Sequence, residues 1–212
     1  MKKGTKRIPP TGELRQSQVL STFGPGAMVD LPNHSVLIGG LEHWHGERQR
    51  IYEDRLADRV RQQLGLEEVA LYAPPVDQQD KWSTQTGITA FQFPTWFLAQ
   101  VDQTYRAPNG RVYRTRPLIP WNEVREGKYF FSDDRKKIPI VPVRFVQACV
   151  KGHISDVNWY AFVRRDWKTE KNGRLWLDEG GAGNDFAEIF VRDERTQTRR
   201  PLSDAMVPEG KV

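Results

Sequence analysis

Several residues that would point directly to a function are scarce in this chain. Its 212 residues contain one cysteine, Cys149, so no disulfide can form within the chain and a reducing, cytoplasmic setting is indicated. A structural zinc site needs four ligands, and no second thiol is present to share one. No apolar run approaches the roughly 18 residues of a membrane-spanning helix. We therefore expect a cytoplasmic protein that has no membrane partner.

Catalytic signatures are missing as well. The sequence has no HExxH or GxSxG motif, no Walker A loop and no dinucleotide-binding fingerprint. Cys149 and His153 could form a nucleophile pair, but no orienting partner or oxyanion loop is recognisable. A metal-dependent nuclease would require a carboxylate-rich centre, and none stands out. We therefore expect a non-enzymatic protein.

Basic and aromatic residues are plentiful. Lys and Arg number 32 against 27 Asp and Glu, which gives a net charge of +5, and the chain contains seven Trp. A hydrophobic content of 38% is too high for a disordered chain. The positive charge permits a phosphate-bearing partner, because Lys and Arg release counterions from a nucleic-acid backbone. It does not require one.

Alternating and aromatic segments predict a β-rich protein. Residues 35–44, 87–98, 138–150 and 175–179 each read as a strand. Pro139 and Pro142 place the first half of the third strand at a sheet edge. The tripeptide 108–110, Pro-Asn-Gly, predicts a hairpin turn between two further strands.

One long amphipathic helix is predicted over residues 47–64. Tyr52, Leu56, Val60 and Leu64 recur every fourth residue on one face, and Gly65 is a natural stop. The predicted fold class is thus α+β and β-rich, with small sheets and hairpins and this one helix. Residues 1–12 are predicted to be a flexible basic lead-in, and residues 13–212 to form a single domain.

Four basic clusters could contact DNA; one is Arg199 with Arg200, and the other three supply the candidate DNA-binding residues. Aromatic side chains lie between them in the sequence, and this mixture can neutralise phosphates and stack bases in single-strand binders. An ordinary solvated surface beside a Trp-rich core would give the same composition. The candidates are Arg111 and Arg114, then Arg135, Lys136 and Lys137, and finally Arg164 and Arg165.

Two glycine-containing segments are predicted to be structural turns. In the first, Gly24 and Gly26 flank a proline; in the second, Cys149, Gly152 and His153 follow a β-type run. The thiol and imidazole could serve as two zinc ligands. A buried free thiol beside a hydrogen-bonded histidine is the explanation that we favour for the second turn.

The motifs resemble a known family. RQSQVLSTFGPGAMVDLP (15–32), SVLIGGLEHW (35–44), FPTWF (93–97) and VPVRFVQACVKGHISDVNWYAFV (141–163) are similar to the N-terminal third of DrmB, a protein of the bacterial anti-phage system DISARM. The resemblance continues through LWLDE, FAEIFVR and RRPLSDA, and so covers nearly the whole chain from about residue 13. The joint occurrence of the TFGPGAxVDLP and RFVxACxxGHIxD patterns is what makes it specific.

The resemblance implies a cytoplasmic, non-catalytic accessory subunit. Its expected partners are a DrmA-like helicase and DNA. The DNA is expected to be single-stranded or to be contacted through its backbone. DrmB proteins are longer, so the remaining part of a split DrmB-like chain is another expected partner. They often carry CxxC pairs, whereas this sequence has Ala99 and Asp102, then Asp193 and Thr196, at the matching positions. We therefore expect no metal and no cofactor, with packing and hydrogen bonds holding these regions.

An alternative function follows from the same resemblance. The chain would be a protein-interaction module that completes a larger or split DrmB-like protein without binding DNA itself. Its exposed aromatic residues and the VPVRF segment, residues 141–145, would then be covered by the rest of that protein.

Overall fold

The chain divides into two compact units. In the computed structural model, residues 14–31, 34–76, 87–181 and 185–206 are described here. The first unit comprises Met1–Pro32 and Val36–Gln92, and the second comprises Asn33–Ser35 and Phe93–Val212. The predicted lead-in, residues 1–12, lies outside the described residues. That residues 13–212 form a single domain stays a prediction.

The first unit has short elements around a small core. Val19, Val29, Ile38 and Trp44 form this core, and the Trp44 Nε1 donates a hydrogen bond of 2.9 Å to the Gly39 carbonyl. Strands β1, β2 and β7 form one sheet, while β3 pairs with β6 and β4 with β5. The elements are α1 (Gln16–Ser21), β1 (Met28–Leu31), β2 (His34–Ile38), β3 (Trp44–His45), β4 (Arg50–Ile51), α2 (Asp54–Leu64), β5 (Leu71–Tyr72), β6 (Gly87–Ile88) and β7 (Ala90–Gln92).

Helix α2 is the predicted amphipathic helix, but it is shorter than expected. It begins at Asp54 rather than at residue 47, because Arg50–Ile51 is taken up by strand β4. The stop at Gly65 is confirmed: this residue adopts the left-handed conformation with φ 65°. No residue of α2 is buried, so its apolar face does not contribute to the core.

The second unit is built on an eight-stranded antiparallel sheet. The strand order is β11-β12-β8-β10-β15-β16-β17, with β9 also paired to β10, while β13 and β14 form a separate hairpin. Its elements are β8 (Trp96–Ala99), β9 (Gln103–Arg106), β10 (Val112–Pro120), β11 (Tyr129–Phe131), β12 (Lys137–Pro142), β13 (Val146–Ala148), β14 (Ile154–Asp156), α3 (Trp159–Arg164), β15 (Leu175–Glu179), β16 (Ile189–Asp193) and β17 (Arg199–Pro201).

The predicted hairpin turn of this unit is present, but one of its predicted strands is interrupted. Residues 108–110 do close the β9–β10 hairpin, as predicted. The predicted strand 138–150 is divided between β12 and β13. Strand β12 also lies between β11 and β8, so its placement at a sheet edge was wrong. It pairs with β11 through residues 137–139 and with β8 through residues 140–142, and this division accommodates its prolines.

Apolar side chains cover both faces of the sheet. One face packs against α3 through Leu98, Leu118, Leu177 and Val191, and α3 contributes a continuous buried run, residues 159–163. Asn158 caps this helix by accepting a hydrogen bond from the Ala161 backbone. The opposite face carries a second cluster with Phe97, Ile119, Phe130 and Ile140.

Together the two units confirm the predicted fold class, which is α+β and strand-rich with small sheets. Within the described residues, no helix is both long and apolar enough to cross a membrane.

Candidate nucleic-acid interface

The turn between β11 and β12 presents three of the predicted basic residues. The Arg135 backbone N–H donates to the Ser132 carbonyl at 2.8 Å, and the Ser132 N–H donates to the Lys136 carbonyl at 3.0 Å. Arg135 adopts φ 58°, a left-handed conformation that lets so short a loop close. Arg135, Lys136 and Lys137 are all exposed, and none forms an ion pair with any residue that the structure describes.

Aromatic side chains lie directly beside these cations. Phe131 pairs across the hairpin with Lys137, and its side chain is 45% exposed. The Phe131 and Tyr129 rings meet edge to face with centroids 5.4 Å apart, while the Lys137 ammonium lies 4.7 Å from the Tyr129 centroid. Phe130 points the other way into the core. We call this exposed surface, formed by Tyr129, Phe131, Lys137 and the turn residues Arg135 and Lys136, the hairpin face.

Sheet register brings Arg111 and Arg114 to the same end of the sheet as the hairpin face. Leu98 pairs with Leu118 of β10 on one side and with Val141 of β12 on the other. Four residues before these partners come Arg114 and Lys137. Because four is an even step along a strand, both residues lie on the same face and toward the same end of the sheet. Five of the seven predicted DNA-binding residues therefore lie at one end of the sheet.

The charges at this end of the sheet are not all equally available. Arg111 donates to Glu188 at 2.9 Å, which partly neutralises it. Asp133 and Asp134 are exposed in the β11–β12 turn, so that turn has only a small excess of positive charge. Arg114 is exposed on β10. The arrangement suits a flexible polyanion with stacking bases better than it suits a small, highly charged ligand.

Arg164 is not part of a surface. Its side chain is 6% exposed and its Nε lies 2.5 Å from the carboxylate of Asp193, which is fully buried. The guanidinium also donates to the Glu170 carbonyl at 2.5 Å and to the Asn172 carbonyl at 2.6 Å. These contacts tie the C-terminal end of α3 to two loops. We therefore remove Arg164 from the candidate DNA-binding set.

Arg165 follows α3 and differs from its neighbour. It adopts φ 57° at the helix C-cap, and its side chain is 71% exposed. Its Nη2 lies 3.4 Å from the Asp204 carboxylate, which also accepts from Arg200 at 2.9 Å. Arg165 is thus a surface cation that shares an acidic partner, away from the hairpin face in the fold.

Both predicted structural turns are present. In the first, the Ala27 N–H donates to the Gly24 carbonyl, and Gly26 adopts φ 81°. In the second, Gly152 has φ 85° and closes the β13–β14 hairpin. At that hairpin, Sγ of Cys149 lies 3.3 Å from Nδ1 of His153. The thiol is exposed, which corrects the expectation that it would be buried.

The Cys149–His153 pair lies on the wall of a groove of about 880 Å³. Its other walls come from β13, from the 3₁₀ helix Phe186–Glu188 and from the 3₁₀ helix Leu202–Met206. The lining is largely apolar and includes Phe145, Val157 and Phe186. In the part of the chain that the structure describes, no group of three or more His, Cys, Asp or Glu could hold a metal ion.

Residues 15–211 match the family model DUF8724, which is described as a domain of unknown function. The chain belongs to the DUF8724 family. No curated protein sequence matches it.

In this DUF8724 domain, a hydrogen-bonded turn occupies residues 193–196, one of the two positions at which the resemblance to DrmB implies a CxxC pair. Burial alone would raise the pKa of Asp193, but hydrogen bonds from Arg164, from the Arg195 backbone and from Thr196 together lower that pKa below its ordinary value. The Thr196 hydroxyl donates to Asp193 at 3.0 Å. At the other such position, Ala99 is fully buried in the core.

Sequence reasoning missed a buried ionic cluster on the sheet of this DUF8724 domain. Asp178 is fully buried and accepts hydrogen bonds from Thr115 at 2.7 Å, from Arg192 at 3.0 Å and from Arg199 at 3.1 Å. The Arg199 guanidinium also lies 3.6 Å from the centroid of the Phe190 ring. These two arginines therefore stabilise the sheet and are not available as a phosphate-binding surface.

One sequence signal could have found that cluster. Strand β16 reads Ile-Phe-Val-Arg-Asp, and strict alternation places Arg192 on the same face as Phe190 and opposite Val191. The neighbouring strand β15 carries Asp178 two residues after Trp176. A cation and a carboxylate on paired central strands predict an ion pair inside the sheet rather than a solvated surface.

Proposed function

We propose that this chain is a non-enzymatic accessory subunit of a bacterial anti-phage defence complex that contacts DNA through the hairpin face. The resemblance to DrmB supports the defence role, a DrmA-like helicase as partner, and location in the cytoplasm. The observation that supports DNA contact is the hairpin face itself, where the exposed ring of Phe131 and the half-buried ring of Tyr129 adjoin cations that form no ion pair with the described residues. Contacts of this kind read the backbone and stack bases without selecting a sequence.

The first test of this function is the salt dependence of single-stranded DNA binding. Replacing Arg135, Lys136 and Lys137 together by Ala is expected to lower the log–log salt slope by up to about 2, since each phosphate contact contributes about 0.7. Fluorescence anisotropy with a labelled oligonucleotide measures this. The matched control replaces three exposed lysines elsewhere on the second unit, Lys151, Lys168 and Lys171. Equal effects of the two triple variants would contradict a defined interface.

Base stacking provides a second, independent readout. Phe131→Ala is expected to weaken binding by about 1–3 kcal/mol while the salt slope stays unchanged, because stacking involves no counterion release. A variant that binds as tightly as the parent would remove the aromatic part of the hairpin face from the proposal.

A second candidate function is a protein-interaction module that completes a split DrmB-like chain. The first part of the VPVRF segment does not support it, since Pro142 pairs within the sheet and Val143 is buried. The apolar groove of about 880 Å³ beside Phe145 and Phe186 supports it instead. Under this alternative, the chain aggregates when expressed alone and becomes soluble on coexpression with the remainder. A monodisperse chain that binds DNA alone would exclude it.

A further inference from the structure

Residues 50–72 of the first unit form a lobe that has no core of its own. The lobe consists of β4, α2 and β5, and none of its residues is buried. The core of this unit is formed by side chains from residues 14–44 and by Ile88, with no contribution from α2. By contrast, α3 of the second unit buries five consecutive residues. Helix α2 thus folds without the tertiary packing that normally stabilises a helix.

An unpacked helix of this length needs outside support. Helix α2 has 11 residues, and isolated helices shorter than about 12–15 residues are marginal in water. Its apolar stripe consists of Leu56, Val60 and Leu64, and Leu56 and Leu64 are 50% and 63% exposed. Just before the helix, Tyr52 is 81% exposed. A stripe of this kind is normally covered by another apolar surface.

The charges around the stripe indicate a protein rather than a nucleic acid. Residues 47–68 carry five arginines and six acidic residues, so the lobe offers no net attraction to phosphates. Both signs occur along α2, in the order Asp54, Arg55, Asp58, Arg59 and Arg61. Charges of both signs beside an apolar stripe are typical of helices that pair with other helices.

The order of charges along α2 would let two antiparallel copies of the helix form ion pairs with each other. Asp54 and Arg61 are seven residues apart, so they lie within about 20° of each other around the helix axis. They flank the stripe on one side, with the acid near the start of the helix and the base near its end. When two copies align antiparallel, like flanks meet, and Asp54 of each copy faces Arg61 of the other. That alignment also sets Leu56 beside Val60 of the second copy, and Leu64 beside its segment 51–52.

We propose that α2 is a dimerisation surface that pairs antiparallel with α2 of a second copy of this chain. The contact is isologous, so both ion pairs and both apolar contacts occur twice. In the single chain Arg61 bonds Asp58 at 2.6 Å, so its guanidinium exchanges this partner for Asp54 of the second copy when the dimer forms. The surface shares no residue with the hairpin face, so the dimer is tested independently of DNA binding.

Sedimentation equilibrium of the full chain tests the dimer without reference to DNA. We expect a concentration-dependent monomer–dimer equilibrium, and we expect Leu56→Asp with Leu64→Asp to leave only monomer. A parent chain that is monomeric at every concentration would overturn the proposal, as would a dimer that this double variant leaves intact. Circular dichroism of the double variant shows whether the loss arises from unfolding of α2.

Charge reversal decides whether the antiparallel pairing is right. Asp54→Arg alone and Arg61→Asp alone each place like charges in contact twice, and each is expected to raise the dimer dissociation constant about tenfold. The double variant restores both attractive pairs, and so does mixing the two single variants. Recovery in both samples cannot come from a general folding defect. Failure of both to recover would show that α2 does not pair in this way.

Discussion

The second unit holds two groups of cations that look alike in the sequence and differ completely in the fold. Arg164, Arg192 and Arg199 each bond a fully buried carboxylate, Asp193 or Asp178, and lie against aromatic rings. Arg135 and Lys136 extend from a turn with no acidic partner among the described residues. A positive residue near aromatic residues is therefore not a sign of a binding surface by itself. The two groups differ in whether a buried carboxylate lies within hydrogen-bonding distance of the cation.

Arg164→Ala is the strongest way to test the internal group. It leaves Asp193 charged, buried and without its main partner, and removal of one partner from a buried pair costs about 3–5 kcal/mol. Urea denaturation followed by tryptophan fluorescence measures the loss. Arg165→Ala is the matched control, because that side chain is mostly exposed, and it should change stability by less than about 0.5 kcal/mol. Equal losses of stability in the two variants would show that the buried and the exposed arginine do not differ in their contribution to folding.

The pH dependence of stability is a second test of the internal ion pair between Arg164 and Asp193. Because folding lowers the pKa of Asp193, this carboxylate contributes stability above its ordinary pKa of 3.8, and that contribution is lost as the pH falls through the lower folded value. Asp193→Asn should therefore be less stable near neutral pH and lose less stability on acidification than the parent. Denaturation curves from pH 7 down to about 2 give the free energy of unfolding of the parent and of the variant as a function of pH. Parallel curves for parent and variant would show that Asp193 does not titrate in this way.

The smallest effect is expected at the hairpin face. The triple Ala variant at Arg135, Lys136 and Lys137 removes no internal partner, so its free energy of unfolding should stay within about 0.5 kcal/mol of the parent value. Thermal unfolding of this variant beside Arg164→Ala gives the direct contrast. A large loss would mean that the turn is structural, and the reduced DNA binding would then have a different origin.

Local sequence signals predicted many elements because they act through neighbours in the chain. Gly65 ends α2, residues 108–110 close a hairpin, and Gly152 closes the β13–β14 turn; Asn158 caps the start of α3 in the same local way. Each depends on one residue's allowed backbone conformation or capping side chain. The candidate DNA-binding residues of the β11–β12 turn were also recognisable, since a basic run beside two phenylalanines is visible without any fold.

Other features depended on pairing between distant segments. The prolines of β12 suggested a sheet edge, but register with β11 and β8 places that strand inside the sheet. Periodicity in residues 47–64 predicted an amphipathic helix, but the core of its unit closes without the apolar face of that helix. Arg164 and Arg165 are adjacent in sequence, and only the carboxylate of Asp193, 29 residues away from Arg164, makes the first internal.

The sequence by itself determined the fold class, the main turns, the existence of α2 and the residue types available for binding a polyanion. These follow from backbone preferences and periodicity, which operate over a few residues. Only the tertiary structure decided which cations are buried, which five lie at one end of the sheet and which helix keeps its apolar stripe exposed. Those outcomes depend on strand register and on burial beside residues far along the chain, and no local pattern encodes either.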